Sequence, residues 1–150
     1  MKLNSQNPSM DFFRKKCREN NLKMTPQRIV IYSELLKSKD HPNAEVLFKR
    51  IKNIIPNISL DTVNRTLITF SKIGIIDVVE GYGEPRRYDP ETENHHHFRC
   101  VNCNTIIDFD YKLYDDIEVP KDIENRYTVL NKKVLLEGYC NSCRKSLSRT

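Results

Sequence analysis

The 150-residue chain reads as an α+β protein of two small lobes: a winged helix-turn-helix, then a small α/β lobe fastened by four cysteines. Three observations predict this. As far as Gly74, four segments carry apolar residues at helical spacing, each opening on a capping residue. Residues 75–89 then hold two short β-prone runs around a glycine-containing turn. Finally, two Cys-x2-Cys pairs, Cys100/Cys103 and Cys140/Cys143, bracket a strand-rich stretch.

The first helix starts near Ser9 and carries Phe12, Phe13 and Cys17 at about one-turn spacing before Asn20-Asn21 ends it. Thr25-Pro26 is an N-cap followed by proline at the first helical position. The helix from Gln27 to about Ser38 is expected to bury Ile29, Val30, Tyr32, Leu35 and Leu36. His41-Pro42-Asn43 breaks the chain. Asn43 caps a third helix with Val46, Leu47, Ile51 and Ile54 inward, stopped before Pro56. Ser59 opens a fourth, with Asp61 in its first turn complementing the dipole. At 100° per residue Leu60, Val63, Leu67 and Phe70 form its apolar stripe, with Asp61, Thr62, Arg65, Thr69 and Lys72 opposite and Asn64 at the border.

Gly74 ends that helix; Ile75–Glu80 reads as a strand, Gly81–Pro85 as a turn and Arg86–Asp89 as the returning strand. The organisation expected is a winged-helix domain over 1–89, a hinge over 90–94 and a second domain over 95–150. In the last, strands are expected over His95–Val101, Thr105–Asp110 and Tyr127–Tyr139, with a short helix near 113–117.

Hydrophobic content of 38% with 30% charged residues is that of a folded globular chain, not a disordered one. Lobes this small have thin cores, so fastening by zinc or by dimerisation is expected. No run reaches the length of a membrane span and no apolar signal-peptide core follows Met1, so the expected location is cytoplasmic, with no membrane partner. There, paired cysteines serve as thiolate ligands more often than as disulfides. The net charge of +5 lies wholly in residues 1–84, with 14 Lys/Arg against 9 Asp/Glu, whereas residues 85–150 hold 11 of each. A positive first lobe suits phosphate attraction, and an ordinary solvated surface explains the same excess equally well.

Each Cys-x2-Cys knuckle offers two thiolates to one ion, and two knuckles separated by 36 residues complete a tetrahedron. Four thiolates leave no open position, so such a zinc is structural and contributes folding free energy directly. Cys17, alone on a helical stripe, reads as a core residue. His95 and His97 lie two apart in a strand and project from one face, forming a bidentate clamp, while His96 points the other way. The alternative for this triplet is a solvated polar strand.

The ordered set Thr25-Pro-Gln-Arg28, His41-Pro-Asn-Ala-Glu45, Pro56-Asn-Ile-Ser59, Asp61-Thr-Val-Asn-Arg-Thr-Leu67, Arg87-Tyr-Asp89, His95-His-His-Phe-Arg-Cys100 and the two cysteine pairs closely resembles the ferric uptake regulator (Fur) family, over residues 22 to 145. The resemblance implies a homodimeric, metal-activated transcriptional repressor with an N-terminal winged-helix DNA-binding domain and a C-terminal dimerisation domain; it is not an enzyme. It puts structural Zn2+ on Cys100, Cys103, Cys140 and Cys143, and a regulatory ion on His41, Asp89, His95, His97 and Asp108. Three nitrogens and two oxygens suit Fe2+ or Mn2+ and leave room for a small ligand. Without the resemblance, Asp89 and Asp108 look like ordinary surface carboxylates.

An aspartate at Asp108 resembles the peroxide-sensing branch of the family, PerR, where iron-uptake regulators more often place glutamate. The stretch Tyr127–Lys133 also lacks the histidine of a further metal site found in many iron-uptake regulators. Both features favour a sensor of hydrogen peroxide, and the resemblance implies that it works by oxidation of a metal-bound histidine, His41 or His95; an iron-, zinc- or nickel-responsive uptake repressor is the alternative. Where the family usually has Thr-Val-Tyr, this chain has Thr62-Val63-Asn64, and asparagine can bond the N6/N7 edge of adenine. The expected partner is a palindromic double-stranded DNA operator, read by Thr62, Asn64 and Arg65, with Arg28, Lys72, Arg86 and Arg87 on phosphates. A non-haem iron enzyme and a metal-independent zinc-ribbon binder are the rivals outside the family.

Overall fold

The first four helices begin where a short polar side chain can cap them. Ser9 accepts from Phe12 N ahead of α1 (Met10–Glu19), and Thr25 from Arg28 N ahead of α2 (Pro26–Lys37). Asn43 accepts from Val46 N ahead of α3 (Ala44–Ile51), and Ser59 from Thr62 N ahead of α4 (Leu60–Lys72). Each cap satisfies an otherwise orphaned N–H and stabilises its helix by about 1 kcal/mol. Gly74, at φ +78°, closes α4 through the bond Ile75 N to Phe70 O, 2.9 Å. The computed structural model describes residues 8–79 and 85–148, and the chain divides into two compact units, Met1–Glu93 and Asn94–Thr150.

In the first unit α1 to α4 enclose a core of Phe13, Ile31, Tyr32, Leu35, Leu47, Ile51, Val63, Leu67 and Phe70. The buried faces differ in part from the expected stripes. In α2 the fully buried line is Ile31, Tyr32 and Leu35, with Ile29, Val30 and Leu36 only half-buried on its flanks. That helix is apolar nearly all round, so periodicity alone does not pick its inner face. Val46 and Ile54 are exposed: α3 ends at Ile51, which takes Ile54 out of helical phase, and Val46 sits 100° off the Leu47–Ile51 line. In α4 Leu60 is exposed at the first turn, while Thr66 is buried with its hydroxyl bonded to Thr62 O at 2.7 Å.

The wing is the antiparallel pair β1 (Asp77–Val79) and β2 (Arg87–Asp89), with Asp77 opposite Asp89 and Val78 opposite Tyr88. Ile75 and Ile76, expected in the strand, instead fill the core ahead of it. Glu80 and the turn residues Gly81–Glu84 lie outside the described residues. The α2–α3 loop adds one further rung through the bridge Asn43↔Arg87. Helices followed by this hairpin make a winged helix.

In the second unit β3 (His96–Cys100) lies between β4 (Ile106–Phe109), antiparallel, and β5 (Leu135–Gly138), parallel. The connection contains α5 (Lys112–Asp115) and α6 (Lys121–Arg126), and α7 (Asn141–Leu147) follows β5. The expected strand over Tyr127–Tyr139 is thus reduced to its last third. Its β-prone start, including Tyr127, Val129 and Leu130, is exposed and meets no ladder. Helices α6 and α7 carry too few apolar residues to be legible by periodicity. No helix among the described residues is long and apolar enough to cross a membrane.

Candidate metal centres and nucleic-acid interface

The ladder β3–β5 brings the two knuckles together. Cys100 ends β3, and Asn104, at φ +59°, turns the chain so that Cys100 N bonds Thr105 O at 2.9 Å. Cys140 stands at the residue before α7 and Cys143 lies in the first turn of that helix. The four sulfurs lie within 4.8 Å of one another, and Cys103 Sγ and Cys140 Sγ are 3.8 Å apart. A tetrahedral zinc with Zn–S near 2.3 Å requires sulfurs about 3.8 Å apart. The residues therefore fit the ion.

Their protonation is uneven. The backbone N–H of Cys103, then that of Cys140, holds the Cys100 thiol down to about 6. The Thr105 hydroxyl, 3.1 Å from Cys103 Sγ, lowers Cys103. The Asn102 amide, 3.2 Å from Cys143 Sγ, pulls Cys143 down, but the neighbouring Cys140 thiol, burial and the other two thiols outweigh it and push Cys143 up to about 11. Only bound metal would deprotonate that last ligand near neutrality. Asn102 and Thr105 escaped the sequence reading, although their place beside the Cys-x2-Cys ligands was the available signal.

A second donor set lies on the other side of β3. His97 faces Asp108 in the β3–β4 register, with Nε2 3.0 Å from Asp108 Oδ1; His95 Nε2 is 2.9 Å from His97 Nε2 and 3.5 Å from the same carboxylate. Both imidazoles are only 8% exposed, so a solvated polar strand is not what forms. Bonds near 2.1 Å at right angles place adjacent donors about 3.0 Å apart, which two of the three separations match, and imidazoles with a carboxylate suit a first-row divalent ion such as Fe2+. His96 points away, fully buried: its Nε2 is 2.9 Å from Asp115 Oδ1, and its Nδ1 accepts from Val134 N. It ties β3 to α5 and to the run-up of β5.

The first unit holds a separate imidazole–carboxylate pair. His41, at φ +50°, and Asp89, at the end of β2, are buried with Nε2 and Oδ2 3.3 Å apart. Asp89 Oδ1 also accepts from Glu91 N at 2.9 Å.

Of the residues expected on DNA, α4 presents Asn64, Arg65 and Lys72 outward, and Thr62 half-buried beside the Ser59 hydroxyl at 2.9 Å. Arg65 is paired with Asp61 at 2.6 Å, so DNA must compete with that carboxylate. Asn64 and Arg86 line one groove of about 660 Å3 between α4 and β2, together with Glu45, Leu60, Asp61 and Tyr88. Arg28 donates to Lys23 O at 2.7 Å. Arg87, also expected on phosphate, is half-buried and donates to the carbonyls of His41 and Asp40.

A winged helix joined to a lobe with separate thiolate and imidazole–carboxylate donor sets defines a metal-binding protein of a DNA-binding fold. The Ferric uptake regulator family matches residues 19–137, and the chain belongs to that family. It is 32% identical over 127 residues to the peroxide-responsive repressor PerR of Staphylococcus saprophyticus, covering 85% of this chain and 86% of that one. The Helicobacter pylori ferric uptake regulator Fur superposes with a TM-score of 0.69 at 25% identity, covering 96% of this chain and 97% of that one. The Campylobacter jejuni peroxide stress regulator gives 0.64 at 25% identity, covering 95% and 100%.

Proposed function

We propose that the chain is a homodimeric, metal-dependent repressor that binds a palindromic DNA operator and senses peroxide by oxidation of His41 or His95. The placement of Asp108 against His95 and His97 supports the sensing site most directly, because it joins a histidine of β3 and the one just before that strand to a carboxylate as three adjacent donors. His41 and Asp89 make an incomplete set of two, as do these a set of three. The reading joins all five on one Fe2+ or Mn2+, with Zn2+ held by Cys100, Cys103, Cys140 and Cys143. The likeness to PerR favours peroxide over metal supply as the signal.

An ion sharing ligands from both units would restrict the hinge near residues 90–94 and would select the posture in which two recognition helices meet successive major grooves. Taking that posture from 1% to 99% needs about 10⁴-fold preference, roughly 5.5 kcal/mol. The exposed apolar side chains of the second unit, among them Leu113, Tyr127, Leu130 and Tyr139, are the surface a second copy would cover. Thr62, Asn64 and Arg65 would meet base edges, and Arg28, Lys72 and Arg86 phosphates.

Held by these five residues, Fe2+ would supply the redox chemistry that activates peroxide and would itself end unchanged as Fe2+. In the net reaction peroxide is the two-electron oxidant: one of its oxygens would enter an imidazole ring C–H to give C–OH, and the other would leave as water. His41 and His95, both buried against carboxylates, present ring carbons at the site, and losing either imidazole's donor quality opens the clamp. Anaerobic Fe2+ loading followed by peroxide is expected to abolish operator binding and add one oxygen to a peptide containing His41 or His95. Mn2+-loaded protein should keep binding. A gain of oxygen elsewhere only, with operator binding lost, removes the peroxide mechanism.

A further inference from the structure

We propose that Arg87 is a positioning residue for the sensing ion: it holds the His41 loop against β2, so that His41 and Asp89 stand as a preformed pair, and it is not a phosphate contact. The inference rests on the regulatory-metal reading above and adds a residue to it.

The loop between α2 and α3 has backbone groups that neither helix satisfies, and its ligand sits in a costly conformation. His41 is a non-glycine residue at φ +50°; the left-handed region is unfavourable for such a residue and persists only where the surroundings over-determine it. Here they do. Arg87 Nε donates to His41 O at 2.6 Å, and Arg87 Nη2 donates to Asp40 O. Tyr88 N donates to Pro42 O at 3.0 Å, and Asn43 bridges Arg87. On the far side Arg50 grips both Asp40 carboxylate oxygens and the Ser38 hydroxyl.

Strand alternation explains the choice of position. Arg87 and Asp89 are two apart in β2 and project to one side, whereas Tyr88 between them is buried in the core. The same face of one short strand thus offers a guanidinium to the backbone of the His41 loop and a carboxylate to its imidazole, at 3.3 Å. A planar fork can span two successive carbonyls, which an ammonium cannot do with the same geometry. Arg86, one residue earlier and exposed, remains the wing's candidate for phosphate.

The test uses full-length, zinc-replete protein: wild type, Arg87→Lys, Arg87→Gln, Arg86→Gln and His41→Ala. Mn2+ affinity is measured without DNA by competition with a chelator. Operator affinity is then measured across a salt series at saturating Mn2+. Both Arg87 variants are expected to weaken Mn2+ binding about 10–100-fold, the range for residues that orient metal ligands. Excess Mn2+ should restore operator affinity with the wild-type salt slope, a rescue that a generally unfolded variant would not give. Arg86→Gln should keep Mn2+ affinity and lower the salt slope by about one.

Wild-type Mn2+ affinity in Arg87→Gln, with the slope lowered by about one, assigns Arg87 to phosphate and overturns the proposal. Should Arg87→Gln fail to fold, Arg87→Lys decides alone: unchanged Mn2+ affinity in it overturns the proposal. If His41→Ala binds Mn2+ as wild type does, the regulatory site itself is misassigned, and the proposal falls with it.

Discussion

Cysteine chemistry separates the five thiols of this chain by environment alone. Cys17 is buried on α1, and desolvation raises its pKa more than Arg28 lowers it. Cys103 is exposed, and the Thr105 hydroxyl holds its pKa down. Because the thiolate is the nucleophile, a raised pKa leaves less of it at any pH below that value. In reduced, zinc-stripped protein, whose first unit keeps its core, iodoacetamide at mildly alkaline pH should therefore label exposed Cys103 at least tenfold faster than buried Cys17. Peptide mapping over time reads the order, and Cys17 labelling first would contradict the burial described. The core place of Cys17 was legible from its helical stripe. The bias toward Cys103 was not, since it depends on a hydroxyl whose approach is set by the left-handed turn at Asn104.

Between α1, α2 and α4, three rings make one contact: Phe13 stacks on Tyr32 at 4.5 Å, and both meet Phe70 edge-on. Such pairs add about 0.5–1.5 kcal/mol beyond their burial. Burial, the largest cause, pushes the Tyr32 phenol from 10 to about 12, with Ser9 opposing it and Glu91 and Cys17 reinforcing it. The folded value lies above the unfolded one, so this stabilisation is fully present below about pH 10 and lost as pH rises toward 12. Tyr32→Phe should change the melting temperature at pH 7 little and remove this part of the alkaline loss between pH 10 and 12. Thermal melts at both pH values check it; parallel losses in variant and wild type would move the titrating group elsewhere. Sequence periodicity gave every one of these helices through its cap, because a cap is a local event. It misplaced Val46, which lies 100° off the buried line of α3, Ile54, which follows the end of that helix, and Leu60, at the first turn of α4.

The two units differ in what holds them. The first encloses a continuous apolar core, whereas the second, among its described residues, buries only Ile106 and the ligands Cys100 and Cys143 as apolar groups, beside three histidines. The paired knuckles showed this in the sequence, since Cys-x2-Cys spacing states its chemistry without a fold. The β3–β5 register that unites them, and the convergence of Asp108 on His95 and His97, arise from long-range pairing that no local pattern encodes. Structural zinc in small domains contributes about 10–16 kcal/mol of apparent free energy, as much as the whole stability of a typical domain. A lobe with so little buried apolar surface has nothing of comparable size to replace it. Stripping zinc from reduced protein with a strong chelator should therefore abolish amide-exchange protection in β3, β4 and β5 and dissociate the dimer. Protection in α1 to α4 should persist, because that core contains no metal ligand among its buried apolar residues. Re-adding one zinc per chain should restore both, and protected β3–β5 amides in verified zinc-free protein would show that the second unit folds by other means.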